Sequence, residues 1–158
     1  MPWTVAEEAA VRALFERSPD YFEAVEGRPP IDDDASTLFS DLPPGRSPAD
    51  KRVLGVTVGD GPAVGVVDLV RDWPAPGTWI IGLVLLEPAA RRRGTGTRVV
   101  ATIAELVIAE GGERLRAAAH HRNPGADSFW RSLGFTAVDD DGEIAVFESA
   151  AFAAAGDN

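Results

Sequence analysis

The chain has 158 residues, of which 45% are apolar and 25% charged, and this is the size and composition of one globular domain with a substantial core. It contains no cysteine, which excludes disulfides, thiol catalysis and thiolate metal sites. The formal net charge of -10 disfavours a broad nucleic-acid-binding surface, because it repels phosphates, and it favours a cationic small substrate.

The sequence of residues 1–50 predicts three short helices and lacks the pattern of a targeting segment. The start MPWTVAEEAA lacks the basic and then apolar pattern of a signal peptide, and no run of about 18 apolar residues follows, so we expect a cytoplasmic protein without membrane contact. Thr4 followed by Glu7 is typical of a capping box that begins the first helix. The second helix, PDYFEAVE, would end at Gly27, and the third would run over about 32–42.

The middle of the chain predicts β-strands and one crossover helix. VLGVTV and AVGVVDLV flank the turn at 59–61 and indicate an antiparallel hairpin. The apolar run TWIIGLVLL suits a central strand covered on both faces, and Gly82 inside it indicates a bulge or a close backbone approach. A helix over 97–110 and a short strand over 115–119 would complete a β-α-β unit.

The C-terminal third predicts a helix over 123–133 and a final hairpin, in which FTAV and IAVFES flank the turn DDDG. The fold class expected from this order is α+β, with a central mixed, mostly antiparallel sheet flanked by helices and one parallel crossover. We expect a single domain over 1–158, with a helical portion at 1–50, a core at 51–149 and a tail at 150–158. The edge strands of the final hairpin make a homodimer a reasonable expectation.

One turn has the residues of an anion-binding site. The segment RRRGTG at 91–96 lies between the apolar strand and the crossover helix, where free backbone N–H groups and the helix dipole attract phosphate. Its glycines would let phosphate oxygens approach the amides, and the hydroxyl of Thr95 or Thr97 would add a contact. Taken alone, the six residues also suit an ordinary strand-to-helix turn, and they match neither a Walker loop nor a dinucleotide fingerprint.

A second segment follows one helix and one strand later, and the two segments together form a more specific pattern than the first alone. Residues 123–135 read NPGADSFWRSLGF. In this order and separation the two segments resemble the GNAT superfamily of N-acetyltransferases, whose motifs are Arg/Gln-x-x-Gly-x-Gly/Ala and Asn-x-x-Ala-x-x-Phe-Tyr-x-x-x-Gly-Phe. The tyrosine position departs from the pattern, because Trp130 stands there. The resemblance extends from about Lys51 to Ser149.

The resemblance implies an acyl-CoA N-acyltransferase fold that binds acetyl-CoA as cosubstrate and needs no metal. It implies that 51–149 forms the cofactor-binding core and that 1–50 lies on the acceptor side. Backbone groups of the strand before the turn would bind the pantetheine arm, and the turn would hold the pyrophosphate. The implied cofactor residues are Val84, Leu85, Leu86, Arg91, Arg92, Arg93, Gly94, Thr95, Gly96, Thr97, Asn123, Ala126 and Phe129.

The implied reaction needs a polarised carbonyl and a proton donor for the leaving thiolate. The resemblance places a polarising backbone N–H near Leu85 or Leu86. Trp130 cannot replace the tyrosine that commonly serves as general acid, because an indole N–H is far too weak an acid. Tyr21, the only tyrosine, and Ser128 are the candidate donors, and water is a third.

The reaction also needs a base that removes the amine proton. Asp68 inside the apolar strand AVGVVDLV is the favoured candidate, because burial near a cleft would raise its pKa, although a cross-strand hydrogen bond explains an aspartate there almost as well. Glu87 is expected to point to solvent. A histidine accepts a proton near neutral pH, but the loop position of His120 and His121 predicts exposure, and two adjacent histidines do not make a metal site.

The expected function is acetyl-CoA-dependent transfer of an acetyl group to an amine of a small molecule or peptide, without a nucleic-acid partner. Trp73 and Trp79 would either line the acceptor side or pack in the core. Two alternatives stay open. Trp130 in the acid position motivates a non-catalytic acyl-CoA-binding domain, and the superfamily also includes toxins that acetylate charged tRNA, which the negative charge of this chain disfavours.

Overall fold

A computed structural model of the protein describes the backbone of residues 4–5 and all of residues 7–149. The expected tail at 150–158 lies outside the described residues. In chain order the elements are β1 (Thr4–Val5), α1 (Glu8–Glu16), α2 (Pro19–Glu26), α3 (Asp33–Ser40), β2 (Lys51–Val56), β3 (Gly65–Val70), β4 (Thr78–Leu86), α4 (Thr95–Ala109), β5 (Arg114–His120), α5 (Ala126–Ser132), β6 (Phe135–Asp140) and β7 (Ile144–Ser149), with short 3-10 helices at Pro48–Asp50 and Pro88–Ala90.

The strands form one sheet in the order β1-β2-β3-β4-β5-β7-β6. Every neighbouring pair is antiparallel except β4 and β5, which run parallel because α4 carries the chain back across the sheet. The expected α+β class, the two hairpins and the central position of β4 are therefore confirmed. In the described parts of the chain, no helix is long and apolar enough to cross a membrane.

The prediction of a capping box at the first helix is wrong. Thr4 lies in β1, where it pairs with Gly55 at the edge of β2, and α1 begins at Glu8 after a Glu7 that makes no side-chain cap. Pairing with the sheet therefore overrides the local signal. The second helix ends at Gly27 in the left-handed conformation, with a φ of 73°, as the sequence predicts.

The sheet has a separate apolar core on each face. On one face α4 and α5 pack against strands that include β4 and β5, with Trp79, Ile81 and Phe147 almost completely buried. On the other face α1, α2 and α3 cover β2 and β3. The helical side chains of this second core, such as Val11, Leu14 and Phe15, recur at the spacing of one helix face.

Gly82 forms the bulge that the sequence predicts within β4. Asp68 of β3 pairs with Leu83 and Leu69 pairs with Ile81, so Gly82 is an extra residue on β4 without an opposite partner. The bulge lies in the middle of the sheet, directly after Ile81, where the pairing of β4 with β5 ends while its pairing with β3 continues. The strand therefore bends at this residue and directs its C-terminal half along the edge of the site described next.

Candidate functional site

A cleft opens where β4 and β5 separate. Their parallel pairing runs from Thr78 opposite Arg114 to Ile81 opposite Ala117, and then it stops, although both strands continue. The cleft has a volume of about 750 Å³, and residues of α2, β4, β5, α5 and the turn before α4 line it. Backbone groups that a continuous sheet would pair are thus available to a ligand.

The register of β3 and β4 shows which backbone groups face the cleft. The amide of Glu87 donates to the oxygen of Val64 on the β3 side, at 2.8 Å. Since backbone groups of an antiparallel strand alternate between its two neighbours, those of Leu86 and Val84 face the gap, and those of Leu85 face β3. Of the two residues proposed to polarise a carbonyl, Leu86 therefore has a correctly directed N–H and Leu85 does not.

The turn before α4 leaves the first amides of that helix free. Gly94 is the N-cap residue with a φ of 75°, and no side chain caps the helix. The amides of the first turn therefore have no intrahelical acceptor and point out of the helix end. Arg92 also has a positive φ, 61°, which is uncommon for a residue with a side chain. This backbone geometry suits an anion at the end of the cleft.

The cleft brings together most of the predicted cofactor residues, which line it from three sides: Val84, Leu85, Leu86, Arg91, Arg92, Gly96, Asn123, Ala126 and Phe129. Arg93 and Thr97 are exposed beside it, and Gly94 acts through its backbone conformation. Thr95 is buried and its hydroxyl accepts from Arg98 at 3.3 Å, so this hydroxyl is not directed to the cleft.

Arg91 makes contacts that its motif did not reveal. Its Nε donates to the oxygen of Leu86 at 2.8 Å, and its two Nη atoms both contact the carboxylate of Asp20 at the start of α2. The hydrogen bond from Arg91 is the main cause that lowers the pKa of Asp20. The first arginine of the phosphate motif is therefore already paired with an anion of the protein itself.

A second ion pair lies beside the first. Arg17, at the end of α1, donates to Glu87 at 2.5 Å and to the backbone oxygen of Ala63 at 3.1 Å. The side chain of Glu87 is only 18% exposed, so the expectation that it points to solvent is wrong. The two pairs, Arg17 with Glu87 and Asp20 with Arg91, join the first two helices to the C-terminal end of β4.

The residue that stands where the family pattern has a tyrosine packs in the core. Trp130 is 5% exposed and contacts Phe129 and Phe135 at ring distances of 5.0 Å, and it borders the cleft. Phe129 in turn fits against Gly96, where a Cβ would lie 3.1 Å from the ring. The glycine at 96 thus lets α4 and α5 approach closely at the end of the cleft.

Tyr21 of α2 lines the cleft. Burial raises its pKa to about 12, with the charge of Glu26 as a second cause. The phenol is therefore protonated at neutral pH and serves as a hydrogen-bond donor. Ser128, the other candidate donor, is exposed on α5 and does not line the cleft, because Ala126, Phe129 and Trp130 form the face of that helix that does.

Asp68 lies directly behind the cleft wall at Gly82. A Cβ on Gly82 would be 3.0 Å from Oδ2 of Asp68, so the bulge glycine leaves the carboxylate room to approach the cleft. Burial raises the pKa of Asp68, as the sequence predicts, while an ion pair with Lys51 at 3.3 Å acts in the opposite direction. The sequence does not indicate this pairing of Lys51, because a lone lysine at the start of a strand belongs to no motif.

The remaining predicted residues divide between cleft and core. His120 lines the cleft with its side chain 19% exposed, so the prediction of exposure holds only for His121, which pairs with Asp140. Trp79 is 1% exposed in the α4 core, and neither it nor Trp73 lines the cleft. The alternative of core packing is therefore correct for Trp79.

Three acidic residues that line the cleft were missed by sequence reasoning. Asp20 and Glu26 come from α2, and Asp41 follows α3, and all three line the cleft. Arg91 and Arg92 also line it, at the turn before α4, where Arg91 pairs with Asp20. Glu26 and Asp41 therefore make the part of the cleft beside α2 and α3 anionic. At the turn before α4, the charge of Asp20 is compensated by Arg91.

Comparison with known proteins gives a family and a fold. Residues 11–135 match the model of the acetyltransferase (GNAT) family, which is more than half of the chain. No curated protein matches the sequence. Among solved structures, the chain is similar to an acetyltransferase from Thermus thermophilus, with 23% identity, a TM-score of 0.77 and coverage of 94% of this chain and 96% of that one.

Two further structures illustrate the same fold. The PaiA N-acetyltransferase from Thermoplasma acidophilum in complex with coenzyme A is 15% identical, with a TM-score of 0.66 and coverage of 94% and 97%. The GNAT domain of S. lividans PAT is 18% identical, with a TM-score of 0.70 and coverage of 94% and 87%. At these identities the likeness shows a shared fold.

Proposed function

Because this chain belongs to the acetyltransferase (GNAT) family, we propose that it transfers the acetyl group of acetyl-CoA to an amine of a small molecule or peptide, which attacks directly in a ternary complex. The observation that carries the proposal is the separation of β4 and β5 beyond Ile81 and Ala117, with the uncapped N-terminus of α4 at its end. A cytoplasmic location is part of the proposal, and the lack of cysteine favours it.

The residues of the cleft fit an acyl-CoA. The free amides at the start of α4, with Arg91 and Arg92 beside them, suit the pyrophosphate, and the backbone of Val84 and Leu86 suits the pantetheine arm. The side-chain amide of Asn123 lines the cleft and makes no hydrogen bond within residues 7–149, so it is available to the cofactor. Bound acetyl-CoA would supply the acetyl group as a thioester.

Asp68 is the proposed base. An amine attacks only in its neutral form, so a carboxylate near the acceptor must take one proton from the incoming ammonium. Asp68 reaches the cleft wall through the space at Gly82, and its side chain is only 15% exposed. The N–H of Leu86 is directed at the gap and polarises the carbonyl, which stabilises the negative charge that develops on its oxygen.

Tyr21 is proposed to donate a hydrogen bond and not a full proton. A phenol with a pKa of about 12 is a much weaker acid than a thiol, so transfer of its proton to a thiolate is unfavourable. The hydrogen bond still stabilises the thiolate or orients the amine. Water relays to the thiolate the proton that the attacking nitrogen loses when the amide forms, and the exposed Ser128 has no part in this step.

The acceptor is proposed to be cationic. The cleft carries Glu26 and Asp41 on the acceptor side, besides Asp20, whose charge Arg91 compensates, and the whole chain has a net charge of -10. Such a field raises the local concentration of ammonium groups and disfavours anionic acceptors. It also disfavours charged tRNA as an acceptor.

Release of coenzyme A thiol tests the function. The purified protein is mixed with acetyl-CoA and a panel of amines that includes monoamines, diamines, polyamines and short basic peptides, and free thiol is measured over time. We expect amine-dependent release that Asp68→Asn lowers by at least about a hundredfold, since general base catalysis contributes about 10²–10⁴. Asp127→Asn, which removes an exposed carboxylate of α5, is the matched control and should retain full activity.

The outcome that favours the alternative is equally specific. Trp130 in the acid position is the observation behind a non-catalytic acyl-CoA-binding domain. Binding of coenzyme A in calorimetry, without thiol release on any amine and without an effect of Asp68→Asn on binding, would replace the transferase with that binding domain.

A further inference from the structure

Lys51 is the only lysine of the chain, and it is almost fully buried. Its side chain is 4% exposed, and its Nζ lies 3.3 Å from Oδ1 of Asp68 on the neighbouring strand. The same ammonium donates to the backbone oxygen of Asp41 at 2.6 Å, directly after the last residue of α3. One cation therefore connects β2, β3 and the end of α3.

The register of the sheet explains how these groups meet. Lys51 is opposite Val70 and Asp68 is opposite Val53, so the side chains of Lys51 and Asp68 are diagonal neighbours on one face. Val53 belongs to the core under α1 to α3, which shows that this is the face on the acceptor side. The ion pair therefore lies inside the wall of the cleft, behind the bulge in β4.

A contribution to folding stability does not by itself explain this buried ion pair. Transfer of two charges from water into the protein interior costs more free energy than their mutual attraction provides, unless further hydrogen bonds compensate. A protein with apolar residues in the same place is often as stable. Perturbed titratable groups beside a cleft are instead typical of functional sites. A buried lysine and a buried aspartate next to the acceptor side are therefore best explained by what they do there.

The charges around Asp68 act in opposite directions. Burial raises the pKa of Asp68, Lys51 on β2 lowers it, and the charge of Asp41 after α3 raises it. At this point β4 presents the bulge glycine, which has no charge. Within the described residues, Lys51 is thus the group that favours the carboxylate form.

We propose that Lys51 is a positioning residue that keeps Asp68 ionised and directed at Gly82, so that Asp68 can accept the amine proton. The inference rests on the proposed function, in which Asp68 is the base. Without Lys51, burial and Asp41 would both favour the protonated carboxyl, which cannot accept a proton. The single lysine thereby extends the range of pH in which the base is available towards lower pH.

The single lysine also makes a direct test possible. Protein labelled with carbon-13 only in lysine gives one Cε resonance, and this resonance is followed by NMR while the pH is changed. We expect a step at the pH where Asp68 titrates, at the same pH as the acid limb of kcat/KM, and no such step in Asp68→Asn. This readout uses the native fold and does not depend on turnover.

The variant Lys51→Met tests the consequence for activity. It keeps the length of the side chain and removes the charge, so the acid limb of kcat/KM should move to higher pH by about one unit or more. Arg52→Met is the matched control, because it removes one positive charge from the next residue of β2, where Arg52 pairs with Glu110 instead. Its acid limb should stay where it is in the native protein. Lys51→Arg keeps the charge and should largely restore the native profile.

The outcomes separate this inference from the proposed function. An active Lys51→Met enzyme with an unchanged acid limb, or a lysine resonance without a step that depends on Asp68, would overturn the role of Lys51 and leave the transferase intact. If Lys51→Met does not fold, the labelled native protein and Lys51→Arg decide the question by the same criteria. A step in the lysine resonance without acetyl transfer to any amine would overturn the proposed function and retain only the charge coupling.

Discussion

At the scale of single residues, Arg91 differs most from its expected role. The phosphate motif predicts a free cation, but Arg91 contacts Asp20 and the backbone of Leu86. A phosphate that binds Arg91 must therefore share it with the carboxylate or displace that carboxylate. Asp20 and a bound phosphate would thus compete for one guanidinium.

We predict that Asp20→Asn lowers the Kd for coenzyme A. The ion pair is partly exposed, so its loss makes up to about 1 kcal/mol available to the phosphate, which is about fivefold in affinity. Calorimetry at two salt concentrations measures the effect, which should shrink at high salt. Arg131 and Asp127 form a similar pair on α5, and Asp127→Asn should leave the Kd unchanged. Weaker binding by Asp20→Asn would instead show that Asp20 positions Arg91 for the phosphate.

Tyr21 gives a second prediction at this scale. If Tyr21 donates one hydrogen bond, Tyr21→Phe should lower kcat by about three- to tenfold with little change in the KM for acetyl-CoA. The ring packs against Phe22 in both forms, so the variant should stay folded. Since the pKa of Tyr21 is about 12, the pH profile of kcat between about pH 6 and 10 should keep its shape. Loss of a basic limb in Tyr21→Phe would show that the phenol titrates in that range and acts as an acid.

At the scale of elements, the contact between β3 and β4 sets the edge of the cleft. Gly65 at the start of β3 lies so close to β4 that a Cβ would be 2.5 Å from Cδ2 of Leu86 and 2.8 Å from the backbone oxygen of Leu85. We therefore predict that Gly65→Ala forces the two strands apart, lowers the free energy of unfolding by about 1–3 kcal/mol and weakens binding of coenzyme A.

Chemical denaturation and calorimetry on two variants check this. Gly61→Ala is the matched control, because its nearest atom beyond its chain neighbours would be at 3.6 Å, an ordinary contact. That variant should keep native stability and affinity. Equal effects of the two substitutions would mean that the flexibility of glycine matters at Gly65 and the close approach of the strands does not.

The elements also show why some of the site could be predicted and some could not. The turn at 91–96 and the segment 123–135 are local patterns whose glycines and spacing are visible in the chain, and they lead to the cofactor end of the cleft. Asp20 and Arg91 are 71 positions apart, and nothing in either neighbourhood indicates the other. Lys51 and Asp68 meet only through the register of a hairpin, so their pairing required the structure.

At the scale of the whole molecule, carboxylates dominate the response to acid. Hydrogen bonds and neighbouring cations lower the pKa of five aspartates below the ordinary value: Asp20, Asp34, Asp50, Asp140 and Asp141. The unfolded chain therefore binds protons at these groups more readily than the folded chain. Their stabilisation is present above the unfolded pKa of about 4 and is lost as the pH falls through the folded values. Asp68 has the opposite sign, because its pKa is raised.

We therefore predict that Tm falls between about pH 5 and pH 3, as the paired aspartates take up protons. Asp34 is the clearest single contributor, because Arg28 binds both of its oxygens, at 2.8 and 3.0 Å. Asp34→Asn should lower Tm at neutral pH and reduce the further loss on acidification. Thermal melts monitored by circular dichroism measure both. A variant with the full native loss below pH 5 would contradict the role of this pair.

The fold as a whole was more predictable than the side of the cleft that α2 and the end of α3 form. Alternation, glycine turns and the two motifs predict the order of strands and helices after residue 51, since each depends on neighbouring residues. Helix α2 and the end of α3 bring acidic residues to the cleft through tertiary packing that no local pattern encodes. The start of the chain illustrates the limit, because pairing of Thr4 with Gly55 decides its conformation against the capping signal.

The bulge at Gly82 has a consequence for how β4 uses its side chains. Before it, Trp79 and Ile81 face the α4 core, and after it Val84 and Leu86 do, so the odd and even positions exchange faces at that one residue. The strand therefore consists of two segments, and the odd-numbered side chains of one segment face the side of the sheet opposite to those of the other. The first segment packs within the core, and the second, residues 82–86, lines the cleft. Deletion of Gly82 would remove the extra residue, so that residues 83–86 would each present their side chain to the opposite face of the sheet.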